Sequence, residues 1–547
     1  MKIAVCQINP VIGDINGNKE KILKGYQKAT EDGADIAVFP ELSLTGYPPL
    51  DFVEKKAFRV KVNKANLELA AATNAKTALI FGSITEFEDN VGTNIENSSL
   101  FCIEGKISVI QNKSLIPNYD VFDEVRYFEA ASEVKVFEFR GETIGLSVCE
   151  DIWNDEDYWK KRMYPVDPVK KQIEKGATLL INISASPYSY GKRKARYKML
   201  STLTKQDNVK LVYTCCAAAQ TELIFDGASM CFDEEGNLAR LGKTFCEDYF
   251  IFDTDIKYPP ILTVESSFEE EVHNALIFGL KDYCNKLNFK SVCLGLSGGI
   301  DSAIVAYFAV KALDKESVYV TLMPSGFSSE GSIADSLKLV ENLGIKHNII
   351  PIQPVFETVK QMLDPLFNNK PEDVTEENMQ SRIRGLYMMA ISNKFNHLLV
   401  TTGNKSELAT GYATLYGDMC GGLAIIGDVY KTDVYRLCEF INRDEEILPR
   451  EIIDKVPSAE LRPNQTDQDS LPPYPVLDKI LRMYLEENKE LDEIAPGIGD
   501  RELVKKMLNL VDRNEFKRKQ GAPVLRVSNK AFGYGRRFPI VQRWSRE

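Results

Sequence analysis

The sequence predicts an α/β protein made of two layered domains, and three observations support this prediction. The 547 residues exceed the size at which a single hydrophobic core stops growing. Short apolar runs alternate with helical patterns in both halves, which is typical of layered α/β folds. The alternation stops in residues 253–270, where adjacent prolines and an acidic cluster are typical of a connection between domains. We therefore expect one domain over residues 1–262 and another over residues 270–547.

The first half contains a series of apolar runs of strand length. They read KIAVCQ, ADIAVFPE, TALIFGSI, SSLFCI, KISVIQ, ETIGLSVCE, TLLINISAS and KLVYTCC. Helical patterns separate the early runs, over residues 19–33 and 58–74. This order predicts strands and helices in layers.

The second half begins a new series. Strands are predicted at SVCLGLS, SVYVTLM, KHNIIPI and HLLVTTG, with helical patterns between them. Strands that alternate with helices favour a doubly wound parallel sheet. After Val456, the Pro-rich polar segment PSAELRPNQTDQDSLPPYP is predicted to be a loop or a covering segment.

Composition excludes several classes of function. The chain has 67 basic and 79 acidic residues, and its net charge of −12 argues against a nucleic-acid-binding protein. Anionic small molecules stay possible, because they need only a local positive site. No run of about 18 apolar residues occurs, so no membrane span is predicted. The start, MKIAVCQINP, is too short and too polar for a signal sequence, and a cytoplasmic protein is expected.

The strongest motif is LGLSGGIDS at residues 294–302, where an apolar strand enters a Ser/Gly turn and then a helix. Glycines let backbone approach a ligand, and N–H groups at a helix start favour an anion. For an isolated G-G-x-D-S, a capped turn is the plain alternative. The flanking strand and helix favour phosphate binding.

This motif resembles the pyrophosphatase loop of N-type ATP pyrophosphatases, which have an adenine nucleotide alpha hydrolase-like, Rossmann-like fold. The resemblance implies cleavage of ATP to AMP and pyrophosphate, with a carboxyl oxygen adenylated. It also implies that Asp301 is a Mg2+ ligand. The implied ATP-binding residues of the loop are Gly295, Leu296, Ser297, Gly298, Gly299, Ile300, Asp301 and Ser302.

Four later segments, NMQSRIR, TTGNKSE, TGYATLYGD and GDVYKT, resemble the NAD+ synthetase members of that family. The resemblance implies that ATP is also contacted by Thr402 and Lys431, and that Glu407 shares the Mg2+ ion. Deamido-NAD would be contacted by Asn378, Arg382, Glu407 and Lys517. Each of these residues alone could be a helix cap or a surface charge. Lys517 is the least distinctive, because Arg518 and Lys519 beside it are also cationic.

The first half offers a set of residues for amide chemistry that contains no histidine. A nucleophilic cysteine needs a base, but no histidine precedes His273, and residue 2 is a lysine rather than a cysteine. Glu41, Lys113 and Cys149 each follow an apolar strand, so their side chains can converge at strand ends. Taken singly, Glu41 could be a helix or turn cap, Lys113 a surface charge, and Cys149 a buried thiol.

This ordered set resembles the Glu, Lys and Cys triad of the nitrilase superfamily, which implies a four-layer α-β-β-α sandwich. By that resemblance Cys149 attacks the glutamine amide, Glu41 is the general base and acid, and Lys113 stabilises the oxyanion and lowers the thiol pKa. Glu124 would assist catalysis or position the substrate. Glutamine would be bound by Tyr119, Ser186 and Lys192.

Together the two resemblances cover nearly the whole chain, and they imply a ligase that forms a C–N bond with glutamine as the amide donor. It would convert deamido-NAD+ to NAD+, the final step of NAD+ biosynthesis, with ATP, Mg2+ and ammonia channelled between sites. A homo-oligomer is expected, without nucleic-acid or membrane partners. The alternatives are a different glutamine-dependent amidoligase of the ATP pyrophosphatase type and a nucleotide-sensing module without turnover.

Overall fold

The computed structural model describes residues 1–89, 91–155, 158–264, 266–368, 370–544 and 546. The chain divides into two compact units, Met1–Ser266 and Ser267–Glu547. Both units combine helices with β-sheets. Within the described ranges, every helix is too short or too polar to cross a membrane.

Two six-stranded sheets form the centre of the first unit. Its strands are β1 (Lys2–Gln7), β2 (Ile36–Val38), β3 (Ala78–Glu86), β4 (Ile95–Ile103), β5 (Lys106–Asn112), β6 (Val136–Phe139), β7 (Glu142–Val148), β8 (Leu179–Ser184), β9 (Lys210–Cys215), β10 (Ala217–Gln220), β11 (Leu223–Asp226), β12 (Met230–Phe232), β13 (Leu238–Leu241) and β14 (Asp248–Asp253). Its helices are α1 (Ile15–Glu31), α2 (Lys56–Ala71), α3 (Pro168–Glu174) and α4 (Lys192–Asp207). One sheet has the order β14-β1-β2-β3-β4-β5 and the other the order β13-β12-β9-β8-β7-β6.

Alternation along the strands explains the layers. In β1, Ile3 and Val5 pack with the inward residues of β7 and β8, whereas Ala4 and Cys6 pack with residues of α1 and α2. In β8, Ile181 lies in the layer between the sheets, whereas Leu180 packs with α3 and α4. Each sheet therefore buries both faces, and the predicted α-β-β-α sandwich is confirmed.

The first and last strands of this unit are neighbours. β1 pairs antiparallel with β14 over its full length, from Lys2 opposite Asp253 to Gln7 opposite Asp248. The Met1 ammonium lies 3.7 Å from the Asp253 carboxylate. The two ends of the unit therefore meet at one edge of a sheet.

A five-stranded parallel sheet organises the second unit. Its strands are β15 (Val292–Leu296), β16 (Val318–Leu322), β17 (Lys346–Ile349), β18 (Leu398–Thr401) and β19 (Leu423–Ala424). Its helices are α5 (Phe268–Lys286), α6 (Ile300–Leu313), α7 (Glu330–Leu343), α8 (Gln353–Phe367), α9 (Val374–Phe395), α10 (Lys405–Thr410), α11 (Lys431–Ile441), α12 (Arg450–Asp454), α13 (Tyr474–Leu485), α14 (Leu491–Ile498), α15 (Arg501–Arg513) and α16 (Glu515–Arg518). The strand order is β17-β16-β15-β18-β19.

This order confirms the predicted doubly wound sheet. The strand order changes direction between the neighbouring strands β15 and β18. Open α/β sheets bind ligands at such a reversal, beside the carboxyl ends of the two strands. The Pro-rich segment between α12 and α13 contains a short 3-10 turn, Asp467–Asp469. The turn at the end of β15 therefore lies where a ligand is expected.

We expect Ile181→Ala to destabilise the first unit, because the Ile181 side chain is fully buried between the two sheets. Large-to-small core substitutions of this kind cost roughly 2–5 kcal/mol. Thermal unfolding of the full chain should show an earlier first transition. Leu262→Ala is the control, since Leu262 is 85% exposed, and equal shifts for both variants would contradict the packing described here.

Candidate active sites

Three strand ends bring Glu41, Lys113 and Cys149 together in the first unit. Glu41 follows β2 after two residues, Lys113 comes directly after β5, and Cys149 comes directly after β7. All three side chains are buried. Cys149 has φ of 45° and begins a 3-10 turn, Cys149–Ile152. A non-glycine residue in this left-handed conformation is strained, and such strain clusters at functional sites.

The Lys113 ammonium lies between two carboxylates. Its Nζ donates to Oε1 of Glu41 at 2.8 Å and to both carboxylate oxygens of Glu124 at 2.8 and 2.9 Å. Tyr47 Oη donates to Glu124 at 2.9 Å, and Asn97 Nδ2 donates to Glu41 at 2.7 Å. Burial disfavours the charged lysine, but the two carboxylates raise its pKa well above the ordinary value. The ammonium is therefore fixed in place and permanently charged.

The thiol of Cys149 has a raised pKa, although Lys113 lowers it as predicted. Burial is the main cause, and the negative charge of Glu41 adds to it. The Lys113 ammonium acts in the predicted direction, but the other two effects outweigh it. At rest the cysteine is consequently a thiol, and it must lose its proton as it attacks.

The carboxylate of Glu41, which is predicted to be the general base, accepts three hydrogen bonds. Its Oε2 accepts the backbone N–H of Ala185 at 2.8 Å, while its Oε1 accepts from Lys113 and Asn97. Ala185 follows β8 in the second sheet, so the carboxylate is held from both sheets. These hydrogen bonds hold the carboxylate in one orientation.

Two of the three predicted glutamine-binding residues, Tyr119 and Lys192, lie at the Cys149 turn. Tyr119 Oη donates to the Glu150 carboxylate at 2.9 Å, and Ser186 is buried next to Ala185. Lys192 Nζ lies 5.4 Å from the centre of the Trp153 ring, at the end of the turn. Sequence reasoning did not single out Glu150, although it follows the predicted nucleophile directly.

Glu150 is a buried carboxylate with two phenolic partners. Tyr164 Oη donates to it at 3.1 Å, in addition to Tyr119. Burial raises its pKa, and Lys113, Tyr119 and Lys192 oppose that effect. The arrangement places a second negative group beside the nucleophile.

In the second unit, the phosphate loop turns tightly between β15 and α6. Gly298 has φ of +77°, and a Cβ there would lie 2.5 Å from the backbone oxygen of Ser332 in α7. Ser297 Oγ and Ser302 Oγ are 3.1 Å apart, and Ser302 Oγ donates to Gly299 O at 3.0 Å. These contacts hold the loop in one conformation, with the start of α6 at its end.

The loop lies beside a cavity of about 310 Å3. Of the ten predicted ATP-binding residues, the cavity is lined by Gly295, Leu296, Ser297, Gly299, Ile300, Asp301, Ser302, Thr402 and Lys431. The tenth residue, Gly298, packs against α7 instead. The cavity therefore has the residues and the position that a nucleotide requires.

Lys431 is the centre of a second buried charge cluster. Its ammonium pairs with Asp301 and lies 3.9 Å from Glu407. Asn404 Nδ2 donates to the other oxygen of Asp301 at 3.0 Å. Burial disfavours the Lys431 charge, but Asp301 and Glu407 raise its pKa above the ordinary value. Burial and Asp301 also raise the pKa of Glu407 well above its usual range.

The four residues predicted to contact deamido-NAD are only partly brought together. Glu407 lines the cavity. The other three residues bind the loop after α10. Lys517 Nζ donates to Gly411 O and Ala413 O. Asn378 Oδ1 accepts from Thr414 Oγ1, and Arg382 Nε donates to Leu415 O. Residues 412 and 413 of this loop line the cavity, so the three side chains hold a loop that forms part of its wall.

Besides Lys455 and Glu460, sequence reasoning missed three charged residues that line the cavity. Arg384 Nε donates to Met323 O at 3.1 Å, and burial lowers its pKa to about 10. Burial raises the pKa of Asp418 to about 6, and Asp467 is the third residue. Arg384 lies in the NMQSRIR motif, and Asp418 ends TGYATLYGD, so both motifs contained a signal.

Comparisons with known proteins agree with this division into two sites. Residues 2–258 match the carbon-nitrogen hydrolase family model, and residues 272–521 match the NAD synthase family model. The glutamine-dependent NAD(+) synthetase of Synechocystis sp. is 44% identical over 548 residues, which cover 99% of this chain and 98% of that protein. The enzyme of that name from Thermotoga maritima is 41% identical, covering 100% and 99%.

A solved structure is similar over the same extent. It is the glutamine-dependent NAD+ synthetase of Acinetobacter baumannii in complex with adenosine diphosphate. The two chains are 36% identical and superpose with a TM-score of 0.77, covering 99% of this chain and 98% of the other. The whole chain, rather than one unit, therefore has relatives.

We expect Gly298→Ala to abolish nucleotide binding, because the added methyl group would lie 2.5 Å from Ser332 O and would require a left-handed alanine. Isothermal titration with ATP measures this. Gly499→Ala is the matched control, since Gly499 has φ of +85° and no atom near its Cβ position. Similar ATP affinity for both variants would contradict the assigned role of the turn.

Proposed function

The chain belongs to the glutamine-dependent NAD(+) synthetase family, and on this premise we propose that it converts deamido-NAD+ to NAD+ with ATP and glutamine. The first unit releases ammonia from glutamine, and the second unit uses it. The observation that carries the proposal is the presence of two built sites in one chain, the Glu41–Lys113–Cys149 cluster and the cavity at the phosphate loop. It is thus a ligase that forms a C–N bond.

Glutamine cleavage begins when the Cys149 sulfur attacks the side-chain carbonyl carbon. Glu41 takes the thiol proton and delivers it to the departing nitrogen, which leaves as ammonia. Water then attacks the thioester, with Glu41 as the base, and glutamate is released. The neighbouring Lys113 ammonium stabilises the negative oxygen of each tetrahedral intermediate.

Glu124 maintains this arrangement. Without it, Glu41 would be the only carboxylate among the described residues within hydrogen-bonding distance of the Lys113 ammonium. With both carboxylates present, the lysine stays charged and Glu41 stays available for the thiol proton. Tyr47 fixes Glu124 through the hydrogen bond between their side chains.

Glutamine recognition uses the charges beside the Cys149 turn. The Glu150 carboxylate suits the α-ammonium group of glutamine, and the Lys192 ammonium suits its α-carboxylate. Tyr119 orients Glu150 by its hydrogen bond, and Ser186 provides a hydroxyl next to Ala185.

In the second unit, a carboxylate oxygen of deamido-NAD+ attacks the α-phosphorus of ATP, and pyrophosphate leaves. Ammonia then attacks the adenylated carbonyl carbon, and AMP leaves with the bonding electrons. The Ser297–Ser302 loop directs backbone N–H groups and hydroxyls to the phosphates, while Lys431 and Arg384 offset their charge. Asp418 can accept a proton from the attacking nitrogen, because its raised pKa lies close to neutrality.

Asp301 and Glu407 fit a Mg2+ site that is completed by the substrate. Both carboxylates face the same ammonium beside the phosphate loop, and Asp301 raises the pKa of Glu407, which supports a place for a further positive charge. Among the described residues, no three His, Cys, Asp or Glu side chains are grouped for an ion, so phosphate oxygens would supply the other ligands. When bound, Mg2+ would neutralise charge on the phosphates.

Three further properties stay predictions. Ammonia is mostly protonated near neutral pH, so a dry passage between the sites would keep it nucleophilic. Assembly as a homo-oligomer and a cytoplasmic location are also expected for this function.

Cys149→Ala is expected to remove the use of glutamine and to leave the use of ammonium, because only the first unit needs the thiol. NAD+ formation from deamido-NAD+, ATP and Mg2+ is measured with glutamine or ammonium chloride as the nitrogen source. The glutamine-dependent rate should fall by roughly 10³-fold or more. Cys231→Ala, at another buried cysteine of the same unit, should keep both activities, and loss of both in C149A would contradict the division of labour.

Glu150→Gln is expected to raise the KM for glutamine with little change in the ammonium-dependent rate. The substitution removes the negative charge proposed to bind the α-ammonium group. Hydrogen bonds to charged groups contribute roughly 1.5–3 kcal/mol, so KM should rise on the order of 10-fold or more. Glu68→Gln, at a surface ion pair with Lys19, is the control, and an unchanged KM in E150Q would rule out this role.

A further inference from the structure

Asp151 is buried, and the three hydrogen bonds described for its carboxylate all come from backbone N–H groups. Its Oδ1 accepts from Ser114 N at 2.9 Å and from Leu115 N at 2.8 Å. Its Oδ2 accepts from Val148 N at 3.0 Å. The residue is 1% exposed. Three N–H donors to one carboxylate form a strong and directional set of bonds.

These donors flank two of the three residues assigned to the chemistry. Ser114 follows Lys113 directly, and Val148 precedes Cys149 directly. The bond to Val148 also closes the turn in which Cys149 has its left-handed conformation. One carboxylate thus joins the segment of the lysine to the turn of the nucleophile.

The sheets themselves do not fix this separation. Lys113 follows β5 and Cys149 follows β7, and these strands belong to different sheets without a shared hydrogen-bond ladder. Side-chain packing between the sheets sets the distance from Lys113 to Cys149 only loosely. A misplacement of a catalytic group by about 1 Å can lower the rate by up to 10²-fold. The Glu41 carboxylate joins Lys113 to Ala185 at the end of β8 in the second sheet, and a direct link between the Lys113 segment and the Cys149 turn would fix the separation further.

We propose that Asp151 is a positioning residue that fixes the Lys113 ammonium relative to the Cys149 sulfur through its bonds to Ser114, Leu115 and Val148. The inference rests on the proposed release of ammonia from glutamine by the first unit. Asp151 does not touch the substrate in this role. Its removal should slow the chemical step and leave glutamine binding in place.

The test compares Asp151→Asn with Asp167→Asn in the full chain. The amide oxygen of an asparagine at position 151 can still accept from either Ser114 and Leu115 or Val148. Its NH2 group then faces the remaining backbone N–H, with which it cannot form a hydrogen bond. Asp167 is also buried, and its Oδ1 accepts Lys170 N at 3.0 Å as the cap of α3. D167N therefore makes the same chemical change at a buried residue of the same unit, whose hydrogen bond to Lys170 lies at the start of α3.

Glutamate release, alkylation of Cys149 by iodoacetamide followed by mass spectrometry, and ammonium-dependent NAD+ formation are measured for each variant. In D151N we expect kcat for glutamine to fall by about 10-fold or more, the alkylation rate to change, and KM to stay within about twofold. D167N should keep kcat. Equal kcat values in the two variants, or a rise in KM that accounts for the whole loss, would overturn the proposal.

Asp151→Glu keeps the charge but moves the oxygens by one methylene group, and it provides a second test if D151N does not fold. A positioning role predicts a clear loss of kcat in D151E. Wild-type kcat in D151E would overturn the role. Absence of glutamate release by the wild-type chain would instead refute the proposed function itself, so the two failures are distinguishable.

Discussion

The fully buried ammonium of Lys113 is the constraint on which the first site depends. A buried charge is tolerated only when it is paired and hydrogen-bonded, and here both Glu41 and Glu124 are needed to satisfy one lysine. The same enclosure excludes water and keeps the Cys149 proton on sulfur at rest. Reactivity therefore has to come from proton transfer to Glu41 during attack, rather than from a standing thiolate.

The second unit repeats this arrangement twice, with different consequences. Lys431 lies among carboxylates at the cavity wall, where a substrate can compete for them. Lys405 is fully buried and pairs with Asp428 and Glu486 at 3.0 and 3.1 Å. Asp428 also accepts backbone N–H groups of residues 527 and 528, so this pair holds the C-terminal segment. The cluster at the cavity can thus change partners, whereas the enclosed one is structural.

Local patterns explain what could be predicted from the sequence. The strand ends before Glu41, Lys113 and Cys149 are visible as apolar runs, and the phosphate loop is visible as a Ser/Gly turn between a strand and a helix. Both fold classes follow from the same periodicity. The position of a residue at a strand end is therefore readable without any knowledge of distant contacts.

What could not be predicted depends on convergence and burial. Glu150 became a candidate only when Tyr119 and Tyr164, from separate segments, were found on its carboxylate. The lowering effect of Lys113 on the thiol pKa was predicted, but the larger raising effect of burial has no local signal in the sequence. Lys517 is visible in the sequence as a cation, but its contacts are with a loop about a hundred positions away, which no local pattern indicates.

The pairing of β1 with β14 sets an order of events during synthesis. The first strand emerges from the ribosome long before its partner at residues 248–253, so the first sheet lacks its edge strand until nearly the whole unit has been translated. Pairings of such high sequence separation form slowly, and domains generally fold as units from the N-terminus. The first unit is therefore completed just as translation of the second begins, and a nascent chain truncated before residue 248 would carry an open sheet edge prone to association.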